Sequence, residues 1–220
     1  MAGSDHHGRT ELVTLPPIGL EGDLGLPVGV PRGIVLFAHG SGSSRLSPRN
    51  KFVAGELRRA AFATLLFDLL SEDEAADRAN VFDIALLAAR LVEATEWVRG
   101  ARQTSALRIG YFGASTGAAA ALVAAARANT GVSAVVSRGG RPDLAGGALP
   151  HVKAPTLLIV GGADLDVLAL NRSALQRLHC DAKLEVVPGA THLFEEPGAL
   201  DEVVKLAGRW FLHHLATATA

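Results

Sequence analysis

The sequence predicts an α/β fold with a mostly parallel central sheet flanked by helices. Three observations predict it. Short continuous apolar runs, such as Ile34-Val35-Leu36-Phe37-Ala38 and Thr156-Leu157-Leu158-Ile159-Val160, read as strands buried on both faces. Segments with apolar residues at helical spacing alternate with those runs. Several of the runs end in loops rich in Gly, Ser or Asp, as βα connections do.

Composition sets the frame. The chain has 220 residues, is 49% hydrophobic and carries a formal net charge of -1. A single domain over residues 11–220 is expected, preceded by a flexible tail over residues 1–10. The near-neutral balance gives no electrostatic pull toward nucleic acid or an anionic membrane. No apolar run reaches membrane-spanning length. The single cysteine, Cys180, excludes an internal disulfide and a multi-cysteine metal site. The N-terminus lacks the apolar core of a signal peptide, so a cytoplasmic location is expected. His6 and His7 fall in the tail and read as exposed residues rather than metal ligands.

Taken in order, Glu11 to about Pro27 shows short alternating runs broken by Pro16-Pro17 and Gly22, which suits one or two antiparallel edge strands. Ile34–Ala38 is a central strand. Arg45 to Ala60 is a loop and then a helix with Phe52, Val53 and Leu57 on one face. Phe62–Asp68 is the next strand, and Ser71-Glu72-Asp73-Glu74 an acidic solvated turn. Val81 to Gly100 is an amphipathic helix in which Trp97 packs. Val132–Ser137 and Thr156–Val160 are further buried strands, and Leu184–Val187 lies nearer an edge. Helices run from Val167 to about Leu178 and from Leu200 to Leu215, the latter with Val203, Val204, Leu206, Ala207, Trp210 and Phe211 inward.

The chain is organised around Arg108-Ile109-Gly110-Tyr111-Phe112-Gly113-Ala114-Ser115-Thr116-Gly117. An apolar strand enters a Gly-x-Ser-x-Gly turn, and an alanine-rich helix follows at once. This is the order of a nucleophile elbow, in which the Ser115 hydroxyl stands clear of the strand end. The helix N-terminus behind it offers free amides to a developing negative charge. A nucleotide-binding glycine loop does not fit: the spacing is not G-x-G-x-x-G, and no P-loop lysine follows.

Two other strand ends supply partners. Asp164 follows Gly161-Gly162-Ala163, and His192 follows Gly189-Ala190-Thr191. Parallel strands bring their C-terminal ends to one rim. A serine hydroxyl needs a base within hydrogen-bond reach and a third group to orient that base. His192 is the candidate base and Asp164 the candidate orienting acid. Asp166 is the rival acid and reads instead as a helix-start residue. Glu195 and Glu196 follow His192 too closely to orient it and read as capping or solvating the last helix. His39-Gly40-Ser41-Gly42 ends the first central strand; the Ser41 amide is a candidate oxyanion donor, and His39 reads as structural.

On these residues the chain resembles the α/β-hydrolase superfamily, and within it the small dienelactone hydrolase-like proteins. The carriers are His39-Gly40-Ser41-Gly42, Gly113-Ala114-Ser115-Thr116-Gly117, Gly161-Gly162-Ala163-Asp164 and Gly189-Ala190-Thr191-His192, and the resemblance spans about Leu24 to Leu215. It implies an α/β-hydrolase fold, nucleophile Ser115, acid Asp164, base His192, and oxyanion amides from Ser41 and Thr116. Founding members use cysteine where this chain has Ser115, so ester hydrolysis is expected rather than dienelactone cleavage. The family also includes proteins fused to phosphoribosyltransferase domains, and none is read in these residues. Larger hydrolases insert a helical lid after the strand that follows the elbow helix. The connection from Ser137 to Thr156 is too short for one, so no large lid domain and an open, shallow cleft are expected.

Arg45, Arg138 and Arg141 are candidate contacts for an anionic substrate group, since guanidinium matches a carboxylate or phosphate in bidentate fashion. The expected activity is hydrolysis of small carboxylic esters, lactones or thioesters through an acyl-enzyme. The partner expected is a small-molecule ester, with no nucleic acid, membrane, metal or organic cofactor; the oligomeric state is left open. A ligand-binding protein of the same fold without turnover is the alternative. A dehalogenase would need a carboxylate at the elbow.

Overall fold

A computed structural model describes residues 8–216. His6 and His7 lie outside the described residues. Two antiparallel strands, β1 (Arg9–Leu15) and β2 (Leu20–Leu26), form the leading hairpin. Arg9 and Thr10 pair with Leu26 and Gly25, so they belong to β1 rather than to a tail.

Six strands follow: β3 (Ile34–Ala38), β4 (Ala63–Phe67), β5 (Ile109–Ala114), β6 (Ala134–Arg138), β7 (Thr156–Gly161) and β8 (Ala182–Val187). The sheet order is β1-β2-β4-β3-β5-β6-β7-β8, with every pair parallel except β1·β2 and β2·β4. The chain steps from β3 outward to β4, then crosses back to place β5 on the other side of β3. The strand order therefore reverses between β3 and β5, which is where a doubly wound sheet opens a crevice at its C-terminal edge.

The helices are α1 (Pro48–Arg59), α2 (Glu72–Ala76), α3 (Arg78–Val81), α4 (Ile84–Gly100), α5 (Thr116–Ala125), α6 (Leu165–Leu175) and α7 (Ala199–Leu215). Helices α1 and α7 cover one face of the sheet, where Phe37, Val53, Leu57, Phe112, Val136 and Phe211 pack together. Helix α7 lays down Val203, Ala207, Phe211 and Leu215 at four-residue spacing, and all four are fully buried. Helices α4, α5 and α6 cover the other face. Ala118 to Ala121 are also fully buried, and their small side chains let α5 lie close against β5.

Several expected boundaries shift for local reasons. Ser71–Glu74 is a helix start rather than a turn: the Ser71 hydroxyl accepts from the Glu74 amide and Glu74 accepts from the Ser71 amide, a reciprocal cap. The long helix begins at Ile84 because Asp83 caps it, accepting from the Leu86 amide at 3.0 Å. Phe52 is exposed on α1, while Val53 and Leu57 are buried. Val204, Leu206 and Trp210 sit half-buried at the margin of the α7 contact. Between β6 and β7 the chain makes only a run of 3-10 turns over Pro142–His151, and no lid covers the strand ends.

Candidate active site

Ser115 occupies the turn between β5 and α5 with φ 51° and ψ -121°. A left-handed conformation at a residue with a Cβ costs on the order of 1–3 kcal/mol and persists only where its surroundings fix it. Three backbone hydrogen bonds do so. The Ser115 amide donates to the Arg138 carbonyl at 3.3 Å, and its own carbonyl accepts from the Ala118 and Arg141 amides, each at 3.1 Å. The flanking glycines are steric requirements. A Cβ on Gly113 would strike the Ala118 backbone, and one on Gly117 would strike the Ala38 and His39 carbonyls.

His192 and Asp164 meet. His192 Nδ1 lies 2.7 Å from Asp164 Oδ2. The carboxylate only accepts, so Nδ1 carries the proton and Nε2 is left as an acceptor. Asp164 is mostly buried and His192 is partly open to solvent. The β7 and β8 loops are stitched together beneath the pair, with Ala163 donating to the Ala190 carbonyl at 2.9 Å and Gly162 to the Val187 carbonyl at 2.8 Å. Glu196 accepts from both the amide and the hydroxyl of Thr191, which fixes the turn that carries His192. The Glu196 side chain thus orders this loop, while its backbone carbonyl accepts from the Ala199 amide at the start of α7 at 3.0 Å.

The serine and the histidine share one rim. A Cβ placed on Gly139, next to the carbonyl that holds the Ser115 amide, would lie 3.6 Å from His192 Cε1. Among the described residues, the Ser115 hydroxyl makes no hydrogen bond to His192. Such bonds are often long without substrate and tighten in the complex. Asp166 lies in the first turn of α6 and takes no part in the His192 contact.

The β3 loop closes over the serine from the other side; a Cβ on Gly40 would stand 3.0 Å from Ser115 Cβ. His39 braces this loop. Its Nε2 accepts from the Leu69 amide and its Nδ1 lies 3.1 Å from the Gly40 carbonyl. Both nitrogens are committed, which fits the structural reading. Burial is the main cause lowering the His39 pKa, so the ring stays neutral.

The Ser41 amide, a candidate oxyanion donor, donates to Thr116 Oγ1 at 2.8 Å, so a side chain of the elbow engages it. The Thr116 amide, at the first position of α5, has no acceptor within the helix. The Thr116 hydroxyl was missed from the sequence because its partner lies far away along the chain.

The three arginines separate. Arg45 is held by Glu21, Asp23 and Asp68, which raise its pKa, so it is committed and not a free anion contact. Arg141 makes a bidentate pair with Asp143 at 2.9 and 2.7 Å and is likewise committed. Arg138 is 8% exposed, and its Nε and Nη1 have no partner.

A cavity of about 620 Å³ lies beside the β3 loop. Leu20 of the leading hairpin, Leu46, Leu69 and Leu87 supply its apolar wall, and Gly40 and Ser41 supply the side nearest the serine. Its charged groups are Arg45 with Glu21, Asp68 and Glu72. The cavity is walled by the hairpin and α2 to α4 and stays open to solvent on one side, deeper than the shallow cleft expected. Among the described residues, no group of three His, Cys, Asp or Glu side chains is arranged to hold a metal ion. No described helix is long and apolar enough to cross a membrane.

Sheet order, strained elbow and strand-end residues together define an α/β-hydrolase. The dienelactone hydrolase family model matches residues 26–210, and the chain belongs to that family. The dienelactone hydrolase of Anabaena variabilis ATCC 29413 superposes with a TM-score of 0.91 at 56% identity, covering 96% of this chain and 100% of that one. A serine hydrolase without a lid from Xanthomonas campestris superposes with a TM-score of 0.77 at 23% identity, covering 96% of this chain and 97% of that one, which supports the fold. A curated relative from Mycobacterium tuberculosis H37Rv, named "Putative phosphoribosyl transferase Rv0571c", is 60% identical over 203 residues. That match covers 92% of this chain, and the chain spans only 46% of the relative's length.

Proposed function

We propose that the protein is a serine hydrolase acting on small carboxylic esters, lactones or thioesters through an acyl-enzyme on Ser115. The observation that carries this reading is the 2.7 Å contact between His192 Nδ1 and Asp164, on the same rim as the strained Ser115 turn. In the first half-reaction His192 Nε2 takes the Ser115 proton as Oγ attacks the acyl carbonyl. Negative charge grows on the carbonyl oxygen at the N-terminus of α5, where the Thr116 amide is the nearest unspent donor of the expected pair. His192 then returns the proton to the departing alcohol or thiol, and Asp164 stabilises the transient imidazolium. Water, activated by the same imidazole, releases the acyl group in the second half. The 620 Å³ cavity beside Gly40 and Ser41 has the size to take a small acyl or leaving group.

The name carried by the Mycobacterium relative belongs to a protein of which this chain spans less than half. A ligand-binding protein without turnover is the second reading, favoured by the open contact between Ser115 and His192. The deciding experiment is a panel of short-chain esters, lactones and thioesters with wild type and Ser115→Ala. Turnover by wild type that Ser115→Ala abolishes supports the hydrolase. A wild type that binds these compounds and turns over none of them supports the binder.

A further inference from the structure

Arg138 is a buried cation with no counter-ion among the described residues. It ends β6, its carbonyl holds the Ser115 amide, and its side chain points to the face covered by α1 and α7. Its Cζ lies 6.0 Å from the centroid of the Phe194 ring, two residues past His192. An aromatic face attracts a guanidinium but accepts few of its five N–H donors. Nε and Nη1 remain buried and unpartnered.

A second cation adjoins it. Arg49, at the start of α1, also has a buried, unpartnered Nε. Arg49 and Phe194 both line a shallow surface recess of about 310 Å³, together with Phe52, Glu195, Glu196 and Asp201. The carboxylates there do not serve Arg138. Glu195 pairs with Arg49 at 3.2 Å from an exposed position, Glu196 is bonded to Thr191, and Asp201 lies in the first turn of α7. Burial, and then Arg49, push the Arg138 pKa down to about 10, so the group stays charged at neutral pH. Leaving a buried charge unpaired is strongly unfavourable, and two neighbouring cations compound it. Water can occupy the donors but cannot offset the charge.

We propose that Arg138 and Arg49 form a binding site for a small oxyanion, a phosphate or carboxylate group, behind the loop that carries His192. The anion bridges β6, the start of α1 and the Phe194 segment, and so ties the candidate base to the elbow strand. It enters from the α1 and α7 face. The large cavity, with Glu21, Asp68 and Glu72 around the committed Arg45, repels anions on the opposite side. The site's existence does not depend on the hydrolase reading; only the possibility that the substrate itself carries the anion rests on it.

The test begins with thermal melting in inorganic phosphate against sodium chloride of equal ionic strength. Wild type is expected to gain Tm saturably, by about 5 °C at phosphate well above Kd. Arg138→Met removes the buried charge. It should melt at or above wild type in chloride and show no phosphate effect. Arg49→Gln, at a partly exposed position, should fold and weaken phosphate binding at least tenfold by calorimetric titration. A wild type that responds to phosphate no more than to chloride overturns the site. So does an Arg138→Met that loses equal stability in both salts. Where Arg138→Met does not fold, Arg49→Gln decides alone. A second arm identifies the source of the anion with matched neutral and carboxylated esters. If the substrate carries it, phosphate competes with the carboxylated ester only and Arg49→Gln raises that KM at least tenfold. If the anion is free, the ratio of the two KM values is unchanged by phosphate. A wild type with no esterase activity sinks the hydrolase reading and leaves the melting and calorimetric results to judge the site.

Discussion

The Ser41 amide donates to the Thr116 hydroxyl at 2.8 Å, which ties the loop after β3 to the first residue of α5. This bond fixes how the loop lies over Ser115, yet it uses a donor that the elbow motif would assign to the oxyanion. Thr116→Val removes the acceptor and frees the loop. The expected outcome is a kcat lowered by about tenfold with KM little changed, since a loosened loop over Ser115 costs less than the 10²-fold or more of a deleted oxyanion donor. Thr116→Ser keeps the hydroxyl and should stay close to wild type. Steady-state kinetics of the two variants checks this, and a Val variant as fast as wild type contradicts it.

Asp164 holds the His192 ring in the tautomer that leaves Nε2 as acceptor. Asp164→Asn preserves shape but can donate to Nδ1, which favours the wrong tautomer. In serine hydrolases, replacing the orienting carboxylate in this way costs roughly 10³- to 10⁴-fold in kcat, and a fall of that size is expected. The melting temperature, followed by circular dichroism, should change little.

His39 gives the fold a pH dependence. Burial holds its native pKa below the ordinary value, so the unfolded chain binds the proton more readily. Stability from this group is complete above about pH 6.5 and is lost as pH falls through that value toward the lower native pKa. The slope from one such proton cannot exceed about 1.4 kcal/mol per pH unit. His39→Asn should flatten the acid limb of stability against pH in urea unfolding measured between pH 5 and 8. A variant with an unchanged limb contradicts the assignment.

Arg45 holds three carboxylates, two from β2 and one just past the end of β4. Arg45→Met leaves Glu21, Asp23 and Asp68 repelling one another. A loss of about 1–2 kcal/mol is expected, less than for a fully buried cluster because Glu21 is mostly exposed. The ratio of activity on neutral and carboxylated esters should not change. A selective loss on the carboxylated ester would show that Arg45 meets substrate.

How much of this was legible in the sequence follows from the range of each interaction. The elbow at Ser115 and the strand ends at Asp164 and His192 are local patterns of apolar runs and small residues, and all three residues come to one rim. The cap at Ser71 was also local, a Ser three residues before Glu74, but a short charged run resembles solvated surface. The fates of Arg45 and Thr116 were hidden because their partners lie 22 to 75 positions away. The cavity was hidden for the same reason, since a hairpin, two loops and three helices must meet to form its walls. Arg138 sits at the end of an ordinary apolar strand, and only packing reveals that it is buried without a counter-ion.

The account turns on whether Ser115 is an activated nucleophile. The direct measurement is covalent labelling with a fluorophosphonate, followed by peptide mass spectrometry. The account predicts one adduct, on Ser115, with labelling slowed severely in His192→Ala and absent in Ser115→Ala. A folded wild type that takes up no label, or takes it at the same rate once His192 is removed, contradicts it.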